Sequence, residues 1–386
     1  MSLNFAFYLP TRIHFGLGKL KEAGRIASRY GKRALVVTGR SSARRLGFLS
    51  LLEEVLKKEN VEPVLFERVE PNPSSITVEE GADLFKKEKC EFIVALGGGS
   101  PLDAAKAIGI LATGPGPLDF YYGKNRVKNE IPPLIAIPTT AGTGSEVTPY
   151  AVITDTKEGE HRKKIIGDPH LFPREALLDP SLTFNLPPDL TSSTGIDALS
   201  HAFESYISCR SSLLSETIAL EAIKILGKNL PEVFCQPQNQ KIRSLLLYAS
   251  TLAGIAIAQT GTTLLHAMGY RLTSDFGIPH GRANGILFPW FWEANFSANP
   301  DKFSHVLSLL DKNVSEKQKN DPHESALVIE NFLRRSGFVL EKVPVKEERL
   351  FEFAREVVAD KTKMSNNPKE MDLKEVIAIY KKAFQI

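Results

Sequence analysis

The chain has 386 residues, of which 42% are hydrophobic and 24% charged, and its formal net charge at pH 7 is +3. This length exceeds what one hydrophobic core usually supports, so we expect two domains. The small net charge argues against nucleic-acid binding. The three cysteines, Cys90, Cys209 and Cys235, are dispersed, which favours a reducing compartment over a disulfide scaffold. With no basic region and apolar run at the start, we expect a cytoplasmic protein.

The first half of the chain alternates between short apolar strands and amphipathic helices. The pattern predicts strands at 34–38, 64–66, 91–96 and 133–137, and helices at 49–58, 78–87 and 101–112. Repeated strand–helix units imply an α/β domain with a parallel sheet covered by helices. Ligands of such sheets bind at the carboxyl ends of the strands, so the loops that follow the strands are the candidate binding segments.

The second half of the chain is predicted to be all helical. Pro187-Pro188 marks the change, and we therefore expect domains at 1–187 and 188–386. Helices are predicted at about 190–207, 213–229, 239–258, 261–274, 281–296, 301–312, 322–336, 346–360 and 372–384. The longest apolar run, at about 245–258, is too short to span a membrane and is interpreted as a buried core helix.

A glycine-rich turn follows the strand predicted at 91–96. Gly97, Gly98, Gly99 and Ser100 open the next helix, where backbone N–H groups and the positive helix end favour a pyrophosphate. We expect Ser100 to be the N-cap, Pro101 the first helical residue and Asp103 a reciprocal capping residue. The sequence is not GxGxxG, and a glycine-rich turn without a ligand is the alternative.

A second polar loop follows the strand predicted at 133–137. Thr139, Thr140 and Thr143 supply hydroxyl groups there, which suit contacts with phosphate, ribose or a nicotinamide amide. The alternative is a polar loop held by its own Ser/Thr turn hydrogen bonds. Two such loops in consecutive strand–helix units favour nucleotide binding more than either loop alone.

The residues after the strand at 34–38 bear on the choice of nucleotide. An acidic residue at such a position binds the ribose 2′-hydroxyl of NAD. This chain instead has Gly39, Arg40, Ser41 and Ser42, which carry no carboxylate, and Arg40 can bind a phosphate. We therefore expect NADP rather than NAD, with a solvent-exposed arginine as the alternative interpretation of Arg40.

One carboxylate and three imidazoles form a candidate metal site. Asp197 and His201 are four residues apart, which places them on one face of a helix, and His266 and His280 follow later in the chain. This ligand set suits Fe²⁺ or Zn²⁺, and such a metal combined with a nucleotide predicts redox chemistry on an alcohol or aldehyde. The remaining histidines are interpreted as structural or exposed: His14, His161, His170, His305 and His323.

These motifs together resemble the iron-containing (group III) alcohol dehydrogenase family over essentially the whole chain. The resemblance rests on Phe15-Gly16, the segments 97–106 and 137–146, Asp197-Ala-Leu-Ser-His201, His266-Ala-Met268 and Pro279-His280-Gly281. It implies a Rossmann-like dinucleotide-binding domain and an all-α domain with the site in the cleft between them, a fold shared with dehydroquinate synthase. It further implies a homodimer or larger oligomer.

The resemblance also assigns roles to residues. It makes Asp197, His201, His266 and His280 the ligands of Fe²⁺, or of Zn²⁺ in some branches, through which they act in catalysis. Gly97 to Ser100 match the pyrophosphate turn, and Thr139, Thr140 and Thr143 match the nicotinamide side. Lys163 matches a lysine near the nicotinamide ribose, with Lys164 as a rival.

The chain departs from the family pattern at two positions. Several members that use NAD carry aspartate where this chain has Gly39, which supports NADP. Several members also carry a histidine, proposed as a proton relay, where this chain has Tyr270. A tyrosine with a pKa near 10 is a poor relay at neutral pH, so a side-chain relay is in doubt.

The expected activity is metal-dependent hydride transfer between NADP(H) and a small primary alcohol or aldehyde. Three alternatives stay open. They are a zinc-dependent polyol oxidoreductase like glycerol dehydrogenase, a lyase like dehydroquinate synthase, and a metal- or nucleotide-binding scaffold without catalysis. A strongly anionic lyase substrate would need a cleft rich in Lys and Arg, whereas Arg271 and Arg282 are the only cations close in sequence to His266 and His280.

Overall fold

The computed structural model describes residues 4–156, 162–339 and 343–385. They form two compact units. The α/β unit comprises Leu9–Thr140 and Gly144–Asn185, and the helical unit comprises Met1–Tyr8, Ala141–Thr143 and Leu186–Ile386. The segment before Leu9 groups with the helical unit, where the Tyr8 backbone N–H donates to Gln259 and the Tyr8 carbonyl accepts from the same side chain.

The α/β unit contains a six-stranded sheet whose paired strands are all parallel, in the order β1-β9-β6-β4-β2-β3, and a three-stranded sheet in the order β5-β8-β7. The strands are β1 (Arg12–Phe15), β2 (Arg33–Gly39), β3 (Glu62–Val69), β4 (Phe92–Gly97), β5 (Gly123–Lys124), β6 (Leu134–Pro138), β7 (Tyr150–Asp155), β8 (Arg162–Gly167) and β9 (Glu175–Leu178). The helices are α1 (Ala23–Ala27), α2 (Ser42–Arg45), α3 (Phe48–Lys58), α4 (Ser75–Lys87) and α5 (Gly99–Thr113).

Alternation along β2 explains why this strand is apolar at successive positions. Leu35 and Val37 lie in one core cluster with residues of α4 and α5, whereas Ala34 and Val36 lie in a second cluster with residues of α1 and α3. Because side chains alternate between the two faces of a sheet, a strand covered by helices on both sides must be apolar throughout. The prediction of a helix-covered parallel sheet is confirmed.

Five strands were not predicted: β1, β5, β7, β8 and β9. β9 lies inside the large sheet although it begins with Glu175, which is 1% exposed. Its carboxylate accepts hydrogen bonds from the Tyr30 hydroxyl and the Arg12 guanidinium, and it pairs with His14. A four-residue run with a buried glutamate carries no apolar periodicity, so pattern alone could not identify it.

The helical unit contains eleven α-helices within the described ranges. They are α6 (Pro188–Ile207), α7 (Leu213–Cys235), α8 (Gln240–Thr260), α9 (Leu264–Phe276), α10 (His280–Asn295), α11 (Pro300–Leu310), α12 (Glu316–Asn320), α13 (Pro322–Arg335), α14 (Glu347–Ala359), α15 (Lys361–Asn366) and α16 (Leu373–Phe384). The short helices α12 and α15 were not predicted, and the all-helical character of this region is confirmed. α6 packs against α7, α8 and α10, and nearly all of its residues after Thr191 are buried.

Among the described residues, α8 is the helix long and apolar enough to cross a membrane by length and composition. Two observations give it another role. In its most apolar window, 67% is buried inside the protein. It also packs against both α6 and α7. These contacts are those of a core helix.

Candidate metal and nucleotide sites

One face of α6 carries the first part of the candidate metal site. Asp197, His201 and Glu204 follow each other at helical spacing and are 4%, 7% and 0% exposed, respectively. Residues separated by three, four or seven positions lie on the same side of a helix. The sequence therefore places two candidate ligands and a second carboxylate in one buried row.

α9 adds His266 to this row. Ligand atoms of Asp197, His201 and His266 all lie within 4.8 Å of one another, and His266 Nε2 is 3.8 Å from Asp197 Oδ1. The rings of His201 and His266 are stacked with their centroids 4.5 Å apart. Three donor groups converging at this separation can bind one metal ion, which is the arrangement predicted from the sequence.

His280, the first residue of α10, completes the predicted set. Its Nε2 atom lies 3.9 Å from Asp197 Oδ1 and its ring centroid lies 5.0 Å from that of His266. Gly281 makes this approach possible, because a Cβ atom there would lie 1.8 Å from the Ser193 carbonyl oxygen on α6. The glycine after His280 therefore lets the start of α10 contact the backbone of α6.

Two side chains beside this cluster were missed in the sequence analysis. Asn284 is fully buried, and its amide nitrogen lies 3.2 Å from Asp197 Oδ1 and 3.3 Å from His266 Nε2. Glu204 accepts a hydrogen bond from His266 Nδ1. Only spacing in the sequence could have identified these two residues, because Asn284 follows His280 by one helical turn and Glu204 follows His201 by three residues.

The electrostatics of the cluster fit a divalent cation. Burial lowers the pKa of His201 more than the charge of Asp197 raises it, so the imidazole is held neutral and keeps the lone pair that a metal needs. Burial by itself raises the pKa of Glu204, but His266 and the hydrogen bonds from His266 and Thr263 bring it below its ordinary value. The cluster thus combines a neutral imidazole at His201 with an ionised carboxylate at Glu204.

The other described histidines lie elsewhere and have other partners. His14 pairs with Glu175, His170 with Asp168, His305 with the Tyr206 hydroxyl and His323 with Glu293. These contacts agree with their interpretation as structural or surface residues. His161 lies outside the described residues.

The glycine-rich turn joins β4 to α5 as predicted, but its capping differs. Gly97 has φ of +154°, and a Cβ atom there would lie 2.6 Å from Pro101 Cγ, so glycine is required. The N-cap is Gly98, and no side chain caps the helix. The prediction that Ser100 is the N-cap is wrong, because α5 begins at Gly99 and the Ser100 hydroxyl accepts from the Asn72 backbone N–H.

Asp103 does not cap α5 either. Its carboxylate accepts hydrogen bonds from the Ser145 hydroxyl at 2.5 Å and the Val152 backbone N–H at 3.0 Å, which turns it away from the helix start. Desolvation raises its pKa more than Lys106 and these hydrogen bonds lower it. The first N–H groups of α5 consequently have no side-chain cap and can bind a phosphate, as helix N-termini do.

Lys106 is a buried cation in the same helix. It is 0% exposed, and its ammonium donates to the Ser145 hydroxyl at 2.8 Å and to the carbonyls of Thr148 and Tyr150 at 2.9 and 2.7 Å. Burial lowers the pKa of Lys106 to about 8. The side chain thereby ties α5, which follows the glycine-rich turn, to the segment that leads into β7.

The threonines of the second loop fall into two groups. Thr139 donates its backbone N–H to the Gly97 carbonyl, and a Cβ atom on Gly98 would lie 3.3 Å from Thr140 Oγ1. The α/β unit therefore brings Thr139 and Thr140 against the glycine-rich turn. Thr143 belongs with the helical unit, as does Gly142, whose carbonyl lies 3.4 Å from His201 Nδ1.

The carboxyl end of β2 carries the residues predicted to select the nucleotide. Gly39 has room for a side chain, since a Cβ atom would meet its nearest neighbours at 3.7 and 3.9 Å. Arg40 is exposed, donates to the Arg68 carbonyl and lies 3.7 Å from Glu70. Ser41 is the N-cap of α2, and Ser42 is its first residue. Arg40 is thus solvent-accessible, but a carboxylate partly balances its charge.

Lys163 and Lys164 occupy neighbouring positions in β8 and so point to opposite faces of that sheet. Lys164 forms an ion pair with Asp155 at 2.5 Å, and its ammonium lies 5.0 Å from the centroid of the Tyr122 ring. The ammonium of Lys164 is thus already paired with a carboxylate, and Lys163 stays the candidate cofactor residue predicted from the sequence.

Comparisons with known proteins agree with this architecture. Residues 10–180 match the model of iron-containing alcohol dehydrogenases, and residues 191–384 match that of the C-terminal region of the same family. The 1,3-propanediol dehydrogenase of Citrobacter freundii is 35% identical, with 98% of this chain and 99% of that protein covered. A parallel-sheet unit followed by a helical unit with an Asp/His cluster is the architecture of a metal-associated dehydrogenase.

Solved structures are similar over the same length. The iron-containing alcohol dehydrogenase of Thermotoga maritima is 38% identical with a TM-score of 0.89, covering 99% of this chain and 100% of that one. A 1,3-propanediol oxidoreductase is 33% identical with a TM-score of 0.93 at the same coverage. The chain belongs to the iron-containing alcohol dehydrogenase family, and the predicted fold class is confirmed.

Proposed function

We propose that this oxidoreductase transfers a hydride between NADP(H) and a small primary alcohol or aldehyde in a metal-dependent reaction. The observation that carries the proposal is the convergence of Asp197, His201 and His266, with His280 beside them. A divalent metal bound by these residues, Fe²⁺ or Zn²⁺, would supply Lewis-acid polarisation of the substrate oxygen. The nicotinamide would supply the hydride donor or acceptor.

The residues of the chain have separate roles in this proposal. The uncapped N–H groups of α5 bind the pyrophosphate, and the hydroxyls of Thr139, Thr140 and Thr143 orient the nicotinamide. Lys163 binds near the nicotinamide ribose. The ring of Tyr270 stacks on His280 with centroids 5.4 Å apart, but a phenol of ordinary pKa is a poor relay at neutral pH, so the proton passes through water and the ribose hydroxyls in this proposal.

The organisation of the protein is proposed on the same basis. We infer that the main boundary between the two domains lies at 187/188, with the segment before Leu9 and residues 141–143 grouped with the helical domain, and we infer a homodimer or larger assembly and a cytoplasmic location. The relatives are named for different alcohols, including 1,3-propanediol, and methanol in the NAD-dependent enzyme of Bacillus methanolicus. The proposal therefore extends to short alcohols and their aldehydes as a class, not to one substrate.

The activity is tested by following NADPH and NADH oxidation with short aldehydes and ketones. Metal-stripped protein is assayed first, and Fe²⁺ or Zn²⁺ is then added anaerobically. We expect turnover of aldehydes only after metal addition and faster turnover with NADPH. Nucleotide binding without turnover of any carbonyl would favour a lyase or a scaffold, and activity confined to polyols with Zn²⁺ would favour the glycerol-dehydrogenase alternative.

The NADP preference gives a separate prediction at Gly39. Gly39→Asp should weaken NADPH binding by about tenfold or more, because a carboxylate there repels the 2′-phosphate, while NADH binding is kept or improved. The free space around the Gly39 Cβ position means that the variant should fold normally. Fluorescence titration of both nucleotides measures the ratio of affinities.

Asn60→Asp is the matched control for this substitution. Asn60 is exposed with φ of +59°, which aspartate tolerates, and it precedes β3, whereas Gly39 pairs with Val69 at the other end of that strand. The control adds the same charge at the opposite edge of the sheet and should leave both affinities unchanged. An unaltered affinity ratio in Gly39→Asp would show that this strand end does not select the nucleotide.

A further inference from the structure

Glu204 is the most deeply buried carboxylate beside the candidate metal ligands, with an exposed fraction of 0%. A buried carboxylate is costly unless hydrogen bonds satisfy it. Its Oε1 atom accepts from the Thr263 backbone N–H at 2.8 Å and the Thr263 hydroxyl at 2.6 Å, and its Oε2 atom accepts from His266 Nδ1. Both oxygens of Glu204 are therefore bonded to the start of α9.

These contacts make Glu204 a cap for a helix other than its own. Thr263 is the N-cap of α9, and its side chain makes no capping hydrogen bond within that helix. Glu204 Oε1 lies 2.8 Å from the N-cap N–H and 3.3 Å from the His266 N–H, which is the third N–H of the helix. A carboxylate at this position satisfies unpaired N–H groups and interacts favourably with the positive end of the helix dipole.

The second oxygen of Glu204 determines which nitrogen of His266 can bind a metal. An ionised carboxylate only accepts hydrogen bonds, so Nδ1 must carry the ring proton and Nε2 keeps its lone pair. Nε2 is the atom that faces Asp197, at 3.8 Å. Asn284 donates toward the same Nε2 atom from 3.3 Å, which is consistent with an unprotonated nitrogen.

We propose that Glu204 is a positioning residue that fixes both the location of α9 and the tautomer of His266, so that His266 Nε2 faces the metal site. The proposal rests on the proposed metal-dependent function. Asp197, His201 and Glu204 lie on one face of α6. The helix that supplies two ligands thus also orients the third, as outer carboxylates do for metal-binding histidines.

Glu204→Gln separates the role of Glu204 in positioning α9 from its role in fixing the His266 tautomer. Glutamine keeps the size of the side chain, but only one of its two terminal atoms can accept. If its oxygen accepts from Thr263, its NH₂ group faces His266 Nδ1, and the proton of the imidazole moves to Nε2. We expect Zn²⁺ affinity, measured by competition with a chromophoric chelator on metal-free protein, to fall by roughly 10- to 100-fold.

Thr263→Val is the matched control. Valine removes the hydroxyl that donates to Glu204 Oε1 but keeps the backbone N–H and leaves the Glu204–His266 contact in place. This variant should lose stability and retain the Zn²⁺ affinity of the wild type. If Thr263→Val weakened Zn²⁺ binding as much as Glu204→Gln, the position of α9 and not the tautomer would control the site, and the proposed control of the His266 tautomer by Glu204 would be overturned.

A spectroscopic measurement tests the tautomer without any metal. Histidine ¹⁵N shifts of the metal-free wild type should show His266 protonated on Nδ1, and those of Glu204→Gln should show it protonated on Nε2. The Nε2–H form in the wild type overturns the proposal even if the variant fails to fold. Wild-type protein that binds no Zn²⁺ but has the Nδ1–H tautomer would contradict the proposed metal-dependent function. The role of Glu204 in fixing the tautomer would still hold.

Discussion

His266→Ala is expected to abolish both metal loading and aldehyde reduction. His266 lies between the other candidate ligands, with its ring 4.5 Å from that of His201 and 5.0 Å from that of His280. Removing it deletes one donor and leaves Glu204 buried without its imidazole partner. Because a metal contributes several kcal/mol of charge stabilisation, turnover should fall by about 1,000-fold or more.

Metal content by elemental analysis and turnover with NADPH and a short aldehyde are measured together for this variant. His323→Ala is the control, because His323 is exposed in α13 and lies near Glu293, away from the candidate ligands. The control should keep full metal content and activity. Full activity of His266→Ala in metal-free buffer would exclude a metal-dependent mechanism at this cluster.

Among the substitutions proposed for this protein, Lys106→Met is expected to lower the free energy of unfolding most. The buried ammonium of Lys106 interacts with Asp103 and donates to Ser145, Thr148 and Tyr150. Methionine fills a similar volume but leaves these buried acceptors without their donor. Each buried acceptor left unsatisfied costs about 1–3 kcal/mol, so we expect a total loss of about 3–5 kcal/mol in urea unfolding followed by circular dichroism.

Lys87→Met is the control for the loss of a positive charge. Lys87 lies in the exposed last turn of α4, so its replacement should change the free energy of unfolding by about 0.5 kcal/mol or less. A Lys106→Met protein as stable as this control would show that the buried network contributes little to the fold.

The effect of Lys106→Met on the free energy of unfolding should depend on pH. Burial lowers the pKa of Lys106 from 10.5 to about 8. Between these values the unfolded chain binds a proton at Lys106 that the folded chain has released, so the folded wild type is stabilised as pH rises. The stability difference between wild type and Lys106→Met should therefore grow above pH 8, by up to about 1.4 kcal/mol per pH unit, and level off below it. A difference that shrinks with rising pH would contradict the lowered pKa.

The metal cluster shows which parts of a site can be predicted from the spacing of residues in the sequence. Asp197 and His201 could be placed on one helix face from their separation alone, because helical geometry is local. The approach of His266 and His280 depends on how α9 and α10 pack on α6, including the contact that Gly281 permits with Ser193. Sequence similarity to a family supplied what local geometry could not.

The misassigned cap at α5 has a different cause. Ser100, Pro101 and Asp103 fit the local preferences for a helix start, and these preferences are weak compared with tertiary hydrogen bonds. Asp103 bonds to Ser145 and Val152, which are more than forty residues away. No pattern within the α5 segment predicts those hydrogen-bond partners.

The sequence by itself determined the parallel sheet, the change to helices after Pro187 and the residue types of both candidate sites. Those features depend on periodicity, turn residues and donor chemistry, all of which are encoded over short distances along the chain. The tertiary structure alone decided the role of Glu204 at α9, the buried position of Lys106 and the partners of Asp103. Each of these depends on which distant group fills the hydrogen-bonding capacity of a buried polar atom, and only packing determines that partner.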